Sequence, residues 1–290
     1  MDIYKIFKES IDKWSEKECD SRIEEAFDNF EDWIKNYDEE EKQILSELLR
    51  RFNYYSMINV VDIVKEFCNS TIKKFGISNQ NSVVSIVRKA DGTYNSSYDY
   101  WMHHQSLSGL SKKIYYDSLD NIDDESWENI SNIVFIDDCS GTGRQFIKFL
   151  KHQKKDFSGK KIYFYVIVIM KEALDFINDY GCKKGIDIQI IYHTLEEKVF
   201  KTMEDNVKTK FLDMSIKQEI PYEYITGFKN AEALMAFYNN TPNDTLGLFW
   251  FSSSKNTPIF IREEVEEPGW KKIKKNKKER SRQRYETKVR

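Results

Sequence analysis

The chain is poor in the residues that mark cross-linked, extended or metal-built proteins. Its 290 residues include 4 cysteines, 4 prolines, 11 glycines and 4 histidines. Cys19, Cys68, Cys139 and Cys182 are far apart and form no Cys-x-x-Cys pair, which argues against a disulfide framework and a zinc site. We therefore expect reduced thiols, and we expect Cys139 to fill space rather than to act as a nucleophile.

Long apolar runs are missing as well. The longest, Ile162–Met170, is far shorter than the roughly 20 residues that a helix needs to cross a bilayer. The N-terminus also lacks the apolar centre of a signal peptide. These absences predict a cytoplasmic protein with no membrane association. Hydrophobic residues still make up 40% of the chain, which is enough for a packed core.

Charge is distributed unevenly along the chain. The formal net charge is −3, yet Pro268–Arg290 contains eleven Lys and Arg against two Glu, which leaves a net charge of about −12 on the rest. Residues 267–290, which contain this basic stretch, lack apolar periodicity and are predicted to be a disordered basic tail. Lys271–Arg284 could contact nucleic-acid phosphates weakly, but a solubilising role or pairing with the acidic body is the favoured interpretation.

Helical periodicity dominates residues 1–78. Apolar side chains repeat at intervals of three and four residues within Ile23–Ile34, Ile44–Phe52 and Met57–Ile72, and Gly76 is a suitable end for the last segment. We expect these stripes to be buried. The pattern predicts an N-terminal helical region that packs as a layer or cap on the next domain.

A β-type pattern takes over in residues 79–200. Helical segments separate five apolar or β-branched runs, which are Val83–Val87, Ile114–Tyr116, Asn132–Ile136, Ile162–Met170 and Ile186–Tyr192. Such alternation favours an α/β fold with a parallel sheet, and Ile162–Met170 has the composition of a strand covered on both faces. Ligands of such sheets bind beyond the carboxyl ends of the strands.

Residues 201–266 form a predicted C-terminal extension with mixed patterning. Helical spacing runs through Leu195–Lys217 and again through Phe228–Tyr238, and a turn-rich loop follows. Leu246–Phe251 and Pro258–Arg262 are expected to form either a terminal hairpin or a covering loop.

The most informative segment is Asn132–Gln145, which is arranged as strand, acidic corner, small-residue loop and helix. The strand ends in two adjacent carboxylates, Asp137 and Asp138, and the loop contains Ser140, Gly141, Thr142 and Gly143. Backbone N–H groups at the start of a helix stabilise an anion, and carboxylates accept hydrogen bonds from sugar hydroxyls. Together these groups suggest a phosphorylated ribose as the ligand.

Val134–Gln145 resembles the phosphoribosyl pyrophosphate motif of type I phosphoribosyltransferases, a hydrophobic strand followed by Asp-Asp-x-x-x-Thr-Gly. The resemblance implies that Asp137 and Asp138 contact the ribose hydroxyls as catalytic-site acids. It also implies that a Mg²⁺ ion bridges pyrophosphate and ribose oxygens. The residues implied to hold the 5-phosphate are Ser140, Gly141, Thr142, Gly143 and Arg144. The chain departs from the motif after Thr-Gly, where Arg144 and Gln145 replace small residues.

The resembled family places its pyrophosphate loop after the strand that corresponds to Val83–Val87. Arg88 and Lys89 follow that strand here and are the candidate pyrophosphate ligands. An exposed charged turn is an equally good interpretation of this dipeptide.

A second stretch, Gly227–Arg262, is similar to the extension of a phosphoribosyltransferase-like group (PRTase-CE) found in prokaryotic conflict and antiphage systems. This resemblance implies a type I phosphoribosyltransferase sheet with an N-terminal helical region and a C-terminal α/β extension. It further implies a bacterial protein with an effector or accessory role in antiphage defence, acting with a protein partner of the same system.

Two alternatives remain open from the sequence. The pocket could bind a nucleotide without turnover and act as a sensor, since Arg144 and Gln145 are altered and no base is evident. His103 and His104 are the candidate bases, although packed or exposed histidines are the favoured interpretation. The acidic loop also resembles the first motif of S-adenosylmethionine-dependent methyltransferases, with Glu172 as the acid that would bind the cofactor ribose.

Overall fold

The computed structural model describes residues 2–88 and 96–262. Within these ranges the α-helices are α1 (Ile3–Trp14), α2 (Ser21–Ile34), α3 (Glu39–Arg51), α4 (Met57–Thr71), α5 (Ser97–Leu107), α6 (Asp124–Asn129), α7 (Arg144–His152), α8 (Lys171–Lys184), α9 (Asp205–Lys217) and α10 (Tyr222–Ile225). The strands are β1 (Asn53–Tyr55), β2 (Ser82–Ile86), β3 (Tyr115–Tyr116), β4 (Asn132–Ser140), β5 (Lys161–Met170), β6 (Asp187–Glu196) and β7 (Met235–Phe237).

Capping residues mark where two of the N-terminal helices begin, and a glycine ends the turns that follow the second of them. A reciprocal capping box joins Asp38 and Glu41 at the start of α3, and a second joins Ser56 and Asn59 at the start of α4. Each box satisfies two backbone N–H groups that the helix leaves without partners. Gly76 adopts the left-handed conformation, with φ of +64°, and ends the turns that follow α4.

The predicted parallel sheet is present. Five strands lie in the order β3-β2-β4-β5-β6, and every neighbouring pair is parallel. All residues of Ile162–Met170 in β5 are buried, as expected for a strand covered on both faces. The expected strand Ile186–Tyr192 is longer than predicted, because β6 continues in register with β5 to Glu196.

The strand order reverses between β2 and β4. The chain moves from β2 to β3 on one side and then returns to place β4 on the other side, and from there it proceeds outward through β5 and β6. Such a switch point leaves a crevice beyond the carboxyl ends of the two central strands. The acidic corner lies at the end of β4 and Arg88 follows the end of β2, so the fold brings both to this crevice.

Two groups of buried apolar side chains hold the molecule together. The sheet cluster surrounds the five-stranded sheet and includes Phe135, Phe146, Phe164 and Tyr165, with α4 packed on the sheet through Phe67.

The domain boundaries expected at residues 78, 200 and 266 remain predictions.

The extension cluster joins α1–α3 to residues 199–260. At its centre Phe52 stacks on Phe249 and Phe260, with ring centroids 5.0 and 5.2 Å apart. The indole of Trp33 donates a hydrogen bond to the Leu248 carbonyl over 2.9 Å. The N-terminal helices therefore pack on the C-terminal extension, although the two are far apart in sequence.

The helix predicted over Phe228–Tyr238 is wrong. A single 3₁₀ turn covers Phe228–Asn230, and β7 pairs in parallel with β1 from the N-terminal region. Backbone φ angles of +55°, +60° and +54° at Lys229, Asn230 and Glu232 break the helical path. Pairing with a distant strand overrides the local helical pattern.

Other expectations at the ends of the chain need smaller corrections. No hairpin forms in the described part of the extension; the segments containing Leu246 and Phe260 instead form a covering loop, linked by a hydrogen bond from the Phe260 N–H to the Phe249 carbonyl. Phe27, expected in the buried stripe of α2, is 65% exposed, because Ala26, Phe30 and Trp33 provide the buried face. None of the helices in residues 2–88 and 96–262 has the length and apolar character that a bilayer crossing requires.

Candidate functional site

The two carboxylates of the acidic corner are largely buried at the end of β4. Asp137 and Asp138 are 5% and 6% exposed. The Ser97 hydroxyl, from the start of α5, donates to Asp137 Oδ1 over 2.6 Å, and the Asp138 N–H donates to the same oxygen over 3.1 Å. Asp138 Oδ1 accepts from the Cys139 N–H over 2.7 Å. The corner is therefore a rigid group whose carboxylates are oriented by its own backbone and by α5.

Burial changes the acid–base behaviour of this corner. Burial and the neighbouring Asp138 raise the pKa of Asp137 well above its usual value, and the hydrogen bond from Ser97 opposes this effect. Burial and the Asp138 charge also raise the pKa of Cys139 far above that of an ordinary thiol. A protonated thiol is a poor nucleophile, so the structure agrees with a space-filling role for Cys139.

The small-residue loop leads the chain from β4 into α7, and at Gly143 its backbone comes close to α8. Gly143 has a φ of +69°, and a Cβ at this position would lie 2.9 Å from Ile177 Cγ1 and 3.1 Å from the Ala173 carbonyl oxygen of α8. Glycine is needed here because any side chain would be strained and would push α7 from α8. The N-terminus of α7 consequently faces the crevice at the switch point.

A cavity of about 810 Å³ opens beside this loop. Its lining includes the predicted residues Arg88, Asp137, Ser140, Gly141, Thr142, Gly143 and Arg144. Basic side chains from other positions, Lys148, His152 and Lys229, also line it. A cavity of this size accommodates a nucleotide-sized ligand.

Two of its arginines already have partners. Arg88 forms an ion pair with Asp117 over 2.6 Å, and its side chain is 23% exposed. The Arg144 guanidinium lies 5.5 Å from the ring centroid of Phe176 in α8, which keeps this larger residue at the edge of the cavity. Both can therefore contribute positive charge without filling the space beside the loop.

A smaller cavity of about 340 Å³ lies on the other side of the acidic corner. Asp138 lines only this cavity, whereas Asp137 lines both. The extension supplies much of its wall, including Asn239, Asn240, Thr241 and Arg262. The two acids thus line two adjacent cavities, and residues of the C-terminal extension line both of them.

Asp244 of the extension places a further carboxylate beside the acidic corner. It is half-buried, lines both cavities, and lies so close to Gly141 that a Cβ there would overlap its carboxylate. Burial and the Asp138 charge raise the pKa of Asp244 to about 7, while Arg262 and a hydrogen bond with the Gly141 backbone oppose the rise. The Cys139 thiol lies 3.9 Å from Asp244 Oδ2.

The histidines proposed as bases do not line either cavity. His103 Nε2 lies 3.1 Å from the Tyr238 hydroxyl, and His104 is 1% exposed, with Nδ1 2.7 Å from the Tyr115 hydroxyl. Burial lowers the pKa of His104 to about 4. Both are packed side chains, and the exposed His152 is the histidine that lines the larger cavity.

The fold brings most of the sequence-derived site residues together. The loop residues and Arg88 share one cavity, while Lys89 and the basic stretch Lys271–Arg284 lie outside the described residues. Ser97, Lys229 and Asp244 were missed, because nothing local in their sequence connects them to the acidic corner. Glu172, the acid of the methyltransferase alternative, pairs with Lys198 over 2.7 Å.

A comparison with solved structures matched several proteins at low identity and low TM-score, one of them a phosphoribosyltransferase. A Helicobacter pylori xanthine-guanine-hypoxanthine phosphoribosyltransferase is 12% identical, covers 54% of this chain and 97% of its own, and has a TM-score of 0.34. A hypothetical protein from Neisseria gonorrhoeae with bound ppGpp is 11% identical, covers 55% and 95%, and has a TM-score of 0.29. The AQ2163 protein from Aquifex aeolicus is 12% identical, covers 61% and 84%, and has a TM-score of 0.28.

A search of curated proteins found no match. The model of the PRTase-CE family, in contrast, matches residues 30–262, which include α3, the whole five-stranded sheet, the acidic corner and the extension up to Arg262. This match leaves the methyltransferase alternative without support. The chain belongs to the PRTase-CE family.

Proposed function

We propose that the cavity beside the β4–α7 loop binds phosphoribosyl pyrophosphate or a related ribose phosphate or nucleotide. The observation that carries this proposal is the shared cavity of Asp137, the Ser140–Arg144 loop and Arg88 at the switch point of a parallel sheet. A ribose phosphate site needs two kinds of group. Carboxylates accept hydrogen bonds from the ribose hydroxyls, and a helix N-terminus attracts the phosphate anion.

Each half of the ligand has its own set of protein groups. Asp137 and Asp138 accept hydrogen bonds from the ribose hydroxyls, and the backbone of residues 140–144 surrounds the 5-phosphate. Arg88 contacts a pyrophosphate, and because its guanidinium is paired with Asp117, the pyrophosphate must compete with that carboxylate. Lys89, the next residue, lies outside the described residues and is assigned to the same group from the sequence alone.

The implied Mg²⁺ fits the donor set. No three His, Cys, Asp or Glu side chains within residues 2–88 and 96–262 converge as a metal site. Mg²⁺ commonly keeps several waters and uses one or two carboxylates together with ligand phosphates, so the Asp137–Asp138 pair is sufficient. When bound, the ion would neutralise charge on the pyrophosphate. Asp137 and Asp138 would hold it, directly or through water.

A binding function without turnover has its own support. The Asp244 carboxylate already lies against the small-residue loop, where a reacting ligand would place its phosphate. This contact favours a nucleotide-sensing module over an efficient transferase. Ligand-induced stabilisation with no release of pyrophosphate would identify the sensor, because a ligand stabilises the folded state whether or not it reacts.

Calorimetry with phosphoribosyl pyrophosphate and Mg²⁺ tests the proposal. We expect Asp137→Asn/Asp138→Asn to bind at least tenfold more weakly than the wild type, since each substitution replaces a carboxyl oxygen that accepts from a ribose hydroxyl with an amide NH₂ group that donates. Asp120→Asn is the matched control, because Asp120 is exposed at the rim of the same cavity, and we expect less than a threefold change. Equal binding by the wild type and the double variant would contradict the proposal.

The antiphage role implied by the family resemblance is a proposal of the same kind. Cells that carry the complete defence system should lose protection when Asp137→Asn/Asp138→Asn replaces the wild type at equal protein level. The phage plating efficiency measures this loss. Full protection by the double variant would separate the defence role from this site.

A further inference from the structure

The phosphate loop is already in contact with an anion from the protein itself. The Asp244 carboxylate lies against Gly141, in the middle of the loop. Glycine is the residue that permits this approach, because a Cβ would overlap the carboxylate. The same backbone groups are those that the proposed function assigns to the ligand phosphate.

The position of this carboxylate is fixed by the extension. The Asp244 carbonyl accepts a hydrogen bond from the Ala233 N–H over 3.1 Å. That carbonyl also lies where a Cβ on Gly227 would be, so the two backbones are in close contact. The hydroxyl of Thr245, the next residue, donates to the Met235 carbonyl over 2.7 Å. The backbone of Asp244 is therefore held beside the loop by contacts with other parts of the extension.

A ligand phosphate at the Gly141 end of the loop would lie beside this negative charge. Like charges in close contact repel strongly where water is excluded, and Asp138 adds a further negative charge nearby. Arg262 is a cation near Asp244, and its charge lowers the pKa of that carboxyl group. Its guanidinium also donates to the Thr241 carbonyl and lies 5.8 Å from the ring centroid of Trp250, so it belongs to the extension.

We propose that the Asp244 carboxylate is an internal anion that competes with the phosphate of the ligand for the Gly141 end of the loop. The C-terminal extension thereby controls access to the site, and a phosphate-bearing ligand binds only when it displaces this carboxylate. This inference rests on the proposed ribose phosphate site and adds an autoinhibitory contact to it.

Binding of two probes at pH 8 tests the competition. The probes are inorganic sulfate, whose charge is constant near this pH and which carries no ribose, and phosphoribosyl pyrophosphate with Mg²⁺. We expect Asp244→Asn, which keeps the shape of the side chain, to bind both probes at least tenfold more tightly than the wild type. Asp120→Asn removes a charge from the same cavity without touching the loop, and its affinity should change less than threefold.

A second variant separates the effect of removing the charge from the effect of a folding defect. Asp244→Ser also removes the charge and should increase affinity in the same direction, with a melting curve as cooperative as that of the wild type. Unchanged or weaker binding of sulfate by both Asp244 variants would overturn the competition while leaving the ribose phosphate site intact. Binding of neither probe to any of the proteins would instead remove the proposed function, and this inference with it.

Discussion

The two walls of the site are built in opposite ways. The loop wall, Asp137–Arg144, is a continuous segment that runs from the end of β4 to the start of α7, and Gly143 in it makes a close contact with α8. The extension wall consists of Phe228–Lys229 and Asn239–Asp244, which meet through a hydrogen bond from the Phe228 N–H to the Asn243 carbonyl over 2.7 Å. A motif search can find the first wall, whereas only folding assembles the second.

Backbone strain is found in the extension wall and in the residues that directly follow its first segment. Lys229, Asn230 and Glu232 all have positive φ angles, and only the Asn side chain commonly tolerates them. Such conformations cost about 1–3 kcal/mol each and persist where the surroundings fix them. Here the buried Glu232 carboxylate pairs with Lys208, and the Glu232 N–H donates to the Thr226 carbonyl over 2.9 Å. The extension wall therefore depends on contacts between segments that are distant in the chain, whereas the groups of the loop wall come from consecutive residues.

Removing a central ring of the extension cluster should break that dependence most strongly. Phe260 is fully buried and stacks on Phe52 and Tyr54, with ring centroids 5.2 and 5.1 Å apart. We expect Phe260→Ala to lower the free energy of unfolding by about 3–5 kcal/mol, through lost burial and a cavity. Urea denaturation measures the change. The matched control, Phe228→Ala, removes a ring that is 42% exposed and should cost much less; equal losses would contradict the comparison.

The contact between Gly227 and Asp244 is the next largest test. Gly227 has φ of +74° and ψ of +165°, a conformation that is essentially restricted to glycine, and a Cβ would overlap the Asp244 carbonyl oxygen. We expect Gly227→Ala to lower the free energy of unfolding by about 3 kcal/mol. Gly159→Ala is the control, because Gly159 has a φ of +73° with no atom within 4 Å of the new Cβ. That control measures the backbone strain alone, about 1 kcal/mol; a similar loss at both positions would show that the close contact contributes nothing.

The smallest expected effect concerns pH. The pKa of Asp244 is raised to about 7 in the folded protein, against about 3.9 for an ordinary unfolded aspartate. Between these values the folded state binds more protons than the unfolded state, so the contribution of Asp244 to stability falls as the pH rises towards 7. Above pH 7 the contribution stays at its minimum.

Asp244→Asn lacks this titration. We expect the variant to gain about 1–2 kcal/mol of unfolding free energy relative to the wild type at pH 8, and little at pH 4.5. Paired denaturation curves at the two pH values measure the difference. Asp120→Asn, at an exposed position, should show no such change between the two pH values. The same constant offset for Asp244→Asn at both pH values would mean that its carboxylate is not desolvated at the loop.

Much of the architecture was predictable from local patterns. Continuous apolar runs gave β2, β4 and β5, and helical stripes gave most of α2–α4, because burial on one or both faces leaves a periodic signature. The acidic corner and its loop were predicted as a site for the same reason: the relevant groups are consecutive. Helical spacing gave a wrong prediction of a helix over Phe228–Tyr238. This segment contains β7, which pairs with β1 about 180 residues earlier in the chain.

The sequence by itself determined the parallel sheet, the Asp137–Asp138 corner and the small-residue loop, since strands, turns and helix starts are encoded by neighbouring residues. The tertiary structure alone decided that Ser97 orients Asp137, that α1–α3 pack on the extension, and that Asp244 lies on Gly141. Each of these contacts joins residues that are 40 or more positions apart, and no local pattern specifies which distant side chain will meet which loop. The chemistry of the acidic corner could be predicted locally, whereas the carboxylate that contacts its loop is placed there by the folded extension.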